Sequence, residues 1–168
     1  GCPPASCSGS LDLRLGDCME VMATFPDGHF DLAIVDPPYG LGDKLTSGGG
    51  SKGWGMRVNS GAEKWDVAPP PEYFQELRRV SRQQIVWGGN YFADLLPASS
   101  GWLVWRKPEA ETGFSLADVE LCWTSKSFAA RTKTAARRDG NEHPTQKTID
   151  VMLWTIGFLD ARTILDPF

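Results

Sequence analysis

The chain has 168 residues, of which 41% are hydrophobic and 23% are charged, and its formal net charge is −4. This length suits one compact domain with its own core. The acidic balance excludes a protein that holds nucleic acid by overall charge, so such a contact needs a local basic patch. No apolar run approaches the roughly 20 residues of a membrane-spanning helix. We therefore expect no membrane partner and a cytoplasmic location.

The cysteines and histidines are spaced too far apart to predict a metal site. The four cysteines are Cys2, Cys7, Cys18 and Cys122, and the two histidines are His29 and His143. No two cysteines form the CxxC pair that is typical of zinc sites. Cys18 and Cys122 fall in predicted core elements, where a free cysteine behaves as a small hydrophobic residue.

The first predicted elements lie before residue 40. Residues 1–10 lack periodicity and are interpreted as a tag remnant or a disordered end. The leucines at alternate positions in 11–15 predict a first strand. Asp17 then opens a short amphipathic helix that ends at PDG, residues 26–28. DLAIV, residues 31–35, predicts a strand that is buried on both faces, as in a parallel sheet.

Strands and helices alternate again after a glycine-rich stretch at 40–68, which we predict to be a flexible loop. PEYFQELRRVS (71–81) and TIDVMLWTIGFL (148–159) have helical apolar spacing. The predicted strands are IVW (85–87), WLVWR (102–106), VELCWT (119–124) and TILD (163–166). This alternation predicts an α/β fold with a largely parallel sheet, without an internal repeat or a domain boundary. Trp87, Trp102, Trp105 and Trp123 lie on these strands and are expected in the core.

The motif DPPY follows the predicted buried strand directly. Asp36 would stand at the carboxyl end of a parallel strand, where ligands bind in open α/β sheets. Pro37 and Pro38 have a fixed φ and no N–H, so the Pro37 carbonyl is held beside the Asp36 carboxylate. Two neighbouring acceptors suit an exocyclic amine, and Tyr39 can lie flat against the ring that carries it. An ordinary strand-ending turn is the alternative.

Three motifs together carry a family resemblance. DPPY at 36–39, HPTQK at 143–147 and LDPF at 165–168, in this order, resemble the motifs of β-type DNA adenine-N6 methyltransferases, which use S-adenosylmethionine. LGD (15–17), WGGNYF (87–92) and FSLADVELCWTS (114–125) are similar to segments of phage-like members. The resemblance implies a single Rossmann-like methyltransferase domain over residues 11–168, with a mostly parallel, helix-flanked sheet. It also implies that the glycine-rich cofactor loop, which begins at Phe168, continues beyond residue 168.

The resemblance also implies residue roles. Asp36 and the carbonyl of Pro37, stiffened by Pro38, would bind the target amine, and Tyr39 would stack on the extruded base. Asp17, with Cys18 beside it, would contact the adenine end of the cofactor. Asp17 has a compatible alternative as a helix cap. The remaining cofactor residues implied are His143, Thr145, Gln146 and Lys147 for the methionine end, Asp166 for the amino group, and Pro167 and Phe168 at the start of the glycine loop.

A basic stretch is the predicted DNA contact. KSFAARTKTAARR, residues 126–138, contains no acid, and a phosphate-contacting segment is preferred to a solvated loop. Its basic residues are Lys126, Arg131, Lys133, Arg137 and Arg138. The 40–68 loop, with Trp54, Arg57 and Trp65, is either a wedge that closes over DNA or a linker. The expected partner is double-stranded DNA in a bacterial or phage-infected cell. A homodimer and the biological role, including restriction-modification, stay open.

The chemistry of this family explains why such residues are needed. The adenine amine is a poor nucleophile, and hydrogen bonds from both N–H groups would aim its lone pair at the sulfonium methyl group. The base must first leave the duplex. Two alternatives stay open, which are a DNA cytosine-N4 methyltransferase and a catalytically silent DNA-binding domain of the same fold. Asp118 and Glu120 are interpreted as structural residues or as neighbours of the site.

Overall fold

The computed structural model describes residues 9–41, 66–108, 117–136 and 147–168. Within these ranges the helices are α1 (Cys18–Ala23), α2 (Pro71–Val80) and α3 (Ile149–Ile156). The strands are β1 (Phe30–Val35), β2 (Ser81–Trp87), β3 (Trp102–Arg106), β4 (Val119–Thr124), β5 (Arg131–Thr134) and β6 (Ile164–Leu165). A short 3₁₀ helix, Gly89–Phe92, follows β2. Among the described helices, none is long and apolar enough to cross a bilayer.

The six strands form one sheet in the order β5-β3-β4-β2-β1-β6. Strand β4 is antiparallel to both of its neighbours, and the other three pairings are parallel. Five strands therefore share one direction, which confirms the predicted α/β fold with a mostly parallel sheet. Because β2, β1 and β6 are adjacent and parallel, their carboxyl ends meet at one edge of the sheet. DPPY and Asp166 both follow strands that end at this edge.

Helices cover both faces of the sheet. Ala33 and Val35 of β1 pack on one face with Met22 of α1 and Phe74 of α2. The alternate residues of β1 lie on the opposite face, where Ile34 joins the cluster that contains Val151 of α3. A strand covered on both faces must be apolar throughout. This confirms the prediction made for DLAIV.

Helix α1 begins where the sequence predicts, because Asp17 caps it. The Asp17 Oδ1 accepts hydrogen bonds from the backbone N–H groups of Met19 at 2.9 Å and Glu20 at 3.2 Å. A side-chain cap of this kind stabilises a helix by about 1 kcal/mol. The capping role proposed as an alternative for Asp17 is therefore present in the structure.

The predicted first strand is wrong. Residues 11–15 form no regular element, and Leu11, Leu13 and Leu15 are 82%, 83% and 107% exposed. Alternating leucines favour an extended conformation, but a strand also needs a neighbour that accepts its backbone hydrogen bonds and covers one face. Within the described part of the chain, no strand pairs with this segment.

One strand boundary and one additional strand also differ from the prediction. Strand β2 begins at Ser81, directly after α2, four residues before the predicted strand. The hydroxyl of Ser81 donates to the Leu77 carbonyl, and the amide of Gln84 donates to the Ser81 carbonyl, so polar groups are satisfied within a buried strand. Residues 131–134, for which no strand was predicted within the basic segment 126–138, form β5 beside β3. Strand β5 lies at the sheet edge, where most of its residues are exposed. Its residues are therefore polar and show no apolar alternation that would predict a strand.

The core predictions for single residues are largely confirmed. Trp87, Trp105 and Trp123 are buried, whereas Trp102 is half-buried. Cys122 is buried, and its surroundings raise the pKa of its thiol. Cys18 is half-buried, and desolvation followed by the nearby charge of Asp17 raises its pKa. Both cysteines have free thiols.

Candidate functional site

Asp36 and Tyr39 come together just beyond the end of β1. The Tyr39 hydroxyl donates a hydrogen bond of 2.8 Å to the Asp36 Oδ1. The Asp36 side chain is 35% exposed, and Pro37 between the two is buried. The alternation of Leu32 and Ile34 along β1 directs residue 36 to the sheet face that α3 covers. The motif therefore presents one accessible carboxylate beside one aromatic ring.

Lys147 contacts both of these residues from a distant part of the sequence. Its Nζ donates a hydrogen bond of 2.8 Å to the Asp36 Oδ2 and lies 3.4 Å from the Tyr39 hydroxyl oxygen. The Lys147 side chain is 5% exposed, and its Nζ lies 5.5 Å from the centre of the Trp87 ring. The structure thus places Lys147 of the HPTQK motif against Asp36. The contact with the methionine end of a cofactor stays a prediction.

Two further charged residues extend this contact into a row. Lys147 Nζ lies 2.9 Å from the Glu120 Oε2, an ion pair without hydrogen-bond alignment at that oxygen. The Glu120 Oε1 lies 2.5 Å from the Nζ of Lys107, which is also 5% exposed. Glu120 pairs with Trp105 across β4 and β3, and Lys107 follows β3 directly. We call this row of Lys107, Glu120, Lys147 and Asp36, in which positive and negative groups alternate, the charge row.

The charges in the row stabilise one another. Burial alone would lower the pKa of Lys147, but the neighbouring carboxylates of Asp36 and Glu120 raise it above its ordinary value. Burial would raise the pKa of Glu120, but the ammonium groups of Lys147 and Lys107 lower it below its ordinary value. Both groups are therefore charged at neutral pH.

Tyr39 is held by aromatic packing and by a glycine. Its ring stacks on Tyr91 with the ring centres 4.7 Å apart and an interplanar angle of 24°. Burial, followed by the charge of Asp36, raises the pKa of the Tyr39 hydroxyl far above its ordinary value. Gly88 has a φ of +67°, and a Cβ at this position would overlap the Tyr39 ring. Gly88, the first residue of the GGN at 88–90, is therefore required by the packing of Tyr39.

Asp66, which directly follows the segment 42–65 outside the described residues, contacts the chain just after the DPPY motif. The N–H of Gly40 donates a hydrogen bond of 3.0 Å to the Asp66 Oδ1, and Asp66 is buried. Gly40 has a φ of +68° and packs against Ala68. The predicted wedge residues of this segment, Trp54, Arg57 and Trp65, lie outside the described residues.

A second group of predicted residues gathers around Tyr73 of α2. The Asp166 carboxylate accepts a hydrogen bond from the Phe168 N–H, and desolvation with the charge of Asp36 raises the pKa of Asp166. The rings of Phe168 and Tyr73 lie 5.2 Å apart. The Tyr73 hydroxyl is buried without a hydrogen-bond partner, and burial, followed by the nearby Cys18 and Asp166, raises its pKa. The structure therefore brings Cys18 and Asp166 close to one unsatisfied hydroxyl, and Phe168 against the ring that carries it.

The predicted DNA contacts lie elsewhere. Arg131 and Lys133 are on β5, at the opposite edge of the sheet from β6. Lys126 is exposed in the turn after β4. Among the predicted site residues, His143, Thr145, Gln146, Arg137 and Arg138 lie outside the described residues. In the described ranges no group of three His, Cys, Asp or Glu side chains could hold a metal ion.

Comparisons with known proteins add no family. Neither the scan against protein-family models nor the search of curated proteins gave a match. The geometry and the sequence motifs therefore carry the functional argument.

Sequence reasoning missed several residues of the site. Lys107 was not singled out, because a lysine after a strand gives no pattern of its own. Asp66 was hidden in a glycine-rich stretch, and Tyr91 was quoted only as part of a segment. Glu120 was taken as a structural residue or a neighbour of the site, and the charge row places it beside Lys147.

Proposed function

We propose that the chain is a DNA methyltransferase that transfers a methyl group from S-adenosylmethionine to N6 of a flipped-out adenine, on a Rossmann-like methyltransferase domain. The observation that carries the proposal is the Asp36–Tyr39 pair at the sheet edge where β6 delivers Asp166. The parallel pairing of Ala33 with Leu165 accounts for this arrangement. Three residues further along the chain from each lie Asp36 and Phe168, so DPPY and the residues after Asp166 leave the same edge of the sheet.

The Asp36 carboxylate suits the target amine. A carboxylate oxygen has two lone pairs, so each oxygen of Asp36 can accept a second hydrogen bond besides the one it receives from Lys147 or Tyr39. An adenine N–H that donates to this carboxylate would be polarised, and the nitrogen lone pair would then point away from the carboxylate and towards the methyl donor. The stack of Tyr39 on Tyr91 supports a role of the Tyr39 ring in holding a planar partner. A base in such a stack gains about 1–3 kcal/mol.

The residues around Tyr73 fit the cofactor. The Tyr73 hydroxyl has no hydrogen-bond partner and can donate or accept, and the Asp166 carboxylate can accept. We assign both to the polar groups of S-adenosylmethionine. Cys18, the first residue of α1 and the sequence neighbour of Asp17, lies close to Tyr73. When bound, the cofactor supplies an electrophilic methyl group on a sulfonium ion.

The first prediction tests this function directly. Incubation of the protein with double-stranded DNA and labelled S-adenosylmethionine should give N6-methyladenine in a nucleoside analysis. Asp36→Ala should lower the rate by about 100-fold or more, the loss that follows removal of one oriented electrostatic group. Asp27→Ala is the matched control, because Asp27 is an exposed acid that pairs with Arg79, and it should keep the wild-type rate.

The two alternatives give different results in the same experiment. Label found in N4-methylcytosine would show that the target base is cytosine and not adenine. No transfer to DNA, with no heat on titration of S-adenosylmethionine in a calorimeter, would contradict the proposal and leave a silent domain of the same fold.

A further inference from the structure

The charge row fixes Asp36 from the inside of the protein. The Asp36 Oδ2 receives a hydrogen bond from Lys147, whose side chain is 5% exposed, while the other oxygen is bonded by the phenol of Tyr39. The two oxygens are therefore not equivalent. The Oδ2 contacts a buried ammonium group that is also paired with Glu120, and the Oδ1 contacts the hydroxyl of Tyr39.

Glu120 is the second carboxylate that contacts the Lys147 ammonium group, besides Asp36. A lysine side chain has several rotatable bonds and loses considerable rotamer freedom when it is fixed. The Glu120 carboxylate restrains its Nζ at 2.9 Å, and Glu120 is restrained in turn by Lys107 and by the pairing of β4 with β3. The restraint therefore runs from the sheet through two ion pairs to Asp36.

Glu120 also balances charge where a reaction would create it. An amine that attacks a methyl donor becomes positively charged, and a lone ammonium group close to it would oppose that charge. The row has two ammonium and two carboxylate groups, so its formal charges cancel. With Glu120 in place, Lys147 can orient Asp36 without adding a net positive charge to the site.

We propose that Glu120 is a positioning residue that acts on Asp36 through Lys147, and that the Asp36 Oδ1 is the oxygen that takes the target amine. The part that concerns the amine rests on the proposed function. The part that concerns Glu120, Lys147 and Asp36 does not, because it is a statement about the geometry of this chain.

A double-mutant cycle tests the proposal. Glu120→Gln and Lys147→Met are compared singly and together, with kcat and KM for DNA as the first readout. Each single change should lower kcat by about 10- to 100-fold, a size typical of residues coupled in one network, with KM for DNA little changed. The double variant should be no slower than Lys147→Met alone, because Glu120 acts only through Lys147. Glu120→Asp, which keeps the charge, should recover part of the rate.

A second readout is independent of activity. The ¹³Cγ chemical shift of Asp36 should move in Glu120→Gln, but Glu120→Gln should produce no further movement when Lys147 is already Met. Asp27→Asn, which breaks an exposed ion pair with Arg79, should leave this resonance in place. If Glu120→Gln does not fold, Lys107→Gln, which only loosens Glu120, goes through the same cycle.

Two outcomes would overturn the inference. One outcome is a double variant whose loss of kcat equals the product of the two single losses. The other is an Asp36 chemical shift that Glu120→Gln leaves unchanged. Either would show that Glu120 does not act through Lys147. A wild-type protein with no methyl transfer would contradict the proposed function alone, and the chemical shifts would still decide whether Glu120 positions Asp36.

Discussion

Gly88 shows how one missing side chain determines the shape of the site. Its positive φ and its contact with Tyr39 are separate requirements, because the first concerns the backbone and the second concerns space. Gly28 shares the positive φ but has room for a Cβ, because its nearest neighbour would be the Arg82 side chain at 3.7 Å, an ordinary van der Waals contact. The two positions therefore separate the cost of backbone strain from the cost of overlap.

We predict that Gly88→Ala destabilises the protein by about 1–3 kcal/mol more than Gly28→Ala, the usual cost of overpacking a filled site. Both variants carry the strain of a left-handed alanine, about 1–2 kcal/mol. Only Gly88→Ala pushes the Tyr39 ring away from Tyr91 and Asp36. Urea unfolding gives both values. Equal destabilisation of the two variants would show that Tyr39 does not pack on Gly88.

The residues that sequence could predict at the site are those that sit at strand ends. Asp36 and Asp166 could be placed because a buried strand and the direction of a parallel sheet determine where its last residue points. The contact of Lys147 with Asp36 could not be predicted, since it joins residues 111 apart in sequence. Lys107 and Glu120 depend in the same way on the register of β3 against β4.

At the scale of single elements, the N-cap residue of helix α1 has one observed role and one proposed role. Asp17 caps the helix through its carboxylate, and the proposed function also gives it the adenine end of the cofactor. A serine at the same position can still cap the helix, because its hydroxyl oxygen accepts the same N–H groups, but it carries no charge. The two roles can therefore be separated.

We predict that Asp17→Ala lowers the free energy of unfolding by about 1 kcal/mol, whereas Asp17→Ser keeps it within a few tenths. Both variants should bind S-adenosylmethionine more weakly in calorimetry, because both lack the carboxylate. If Asp17→Ser bound the cofactor as tightly as the wild type, Asp17 would be a cap and nothing more.

Strand β5 illustrates where patterns in one element fail. Arg131 and Lys133 alternate with threonines, and their registered partners in β3 are Leu103 and Trp105, which belong to the core on the α3 side. Registered residues of a parallel pair point to the same face. The two basic residues thus extend that face at the sheet edge, beyond its apolar part.

We predict that Arg131→Gln with Lys133→Gln weakens binding to DNA of any sequence and reduces the slope of log K against log salt by about 2, one for each lost phosphate contact. Fluorescence anisotropy at several salt concentrations measures this slope. The control is Arg14→Gln, which removes an exposed arginine that pairs with Asp12. An unchanged slope in the β5 variant would exclude this edge from the DNA contact.

For the whole molecule, sequence predicted the class of fold and most elements but not their boundaries. The alternation of apolar strands and amphipathic helices gives an α/β layering because each element must cover its apolar side. The direction of β4 was not predicted, since both kinds of strand pairing tolerate an apolar run. The alternating leucines of 11–15 were misleading because a local pattern does not show whether a partner strand is present.

The pH dependence of stability is also a property of the whole chain. The pKa values of Tyr39, Tyr73 and Lys147 are raised in the folded protein, and so are those of the Cys18 and Cys122 thiols. The unfolded chain loses the thiol protons above about pH 8.5 and the other protons above about pH 10, while the folded chain keeps them. The folded state then binds more protons than the unfolded state, so its stability falls as the pH rises.

We predict that the free energy of unfolding decreases above about pH 8.5 and more steeply above about pH 10, by up to about 1.4 kcal/mol per pH unit for each such group. Urea unfolding measured above about pH 10 should show a shallower decrease in Tyr39→Phe, which removes one of these groups. An identical slope in wild type and Tyr39→Phe would contradict the burial of the Tyr39 hydroxyl. On the acid side, the lowered pKa of Glu120 means that its contribution is lost as the pH falls below about 4.

The hydrogen bond between Gly40 and Asp66 has a consequence for how such a protein can diverge. It joins the two residues next to the boundaries of segment 42–65, and for a flexible loop whose ends are held together each doubling of length costs only about 0.6 kcal/mol. An insertion between these boundaries that keeps the Gly40–Asp66 hydrogen bond would leave the neighbouring Tyr39 in place. In a methyltransferase, target preference could then change by exchange of this one insert while the reactive groups keep their places.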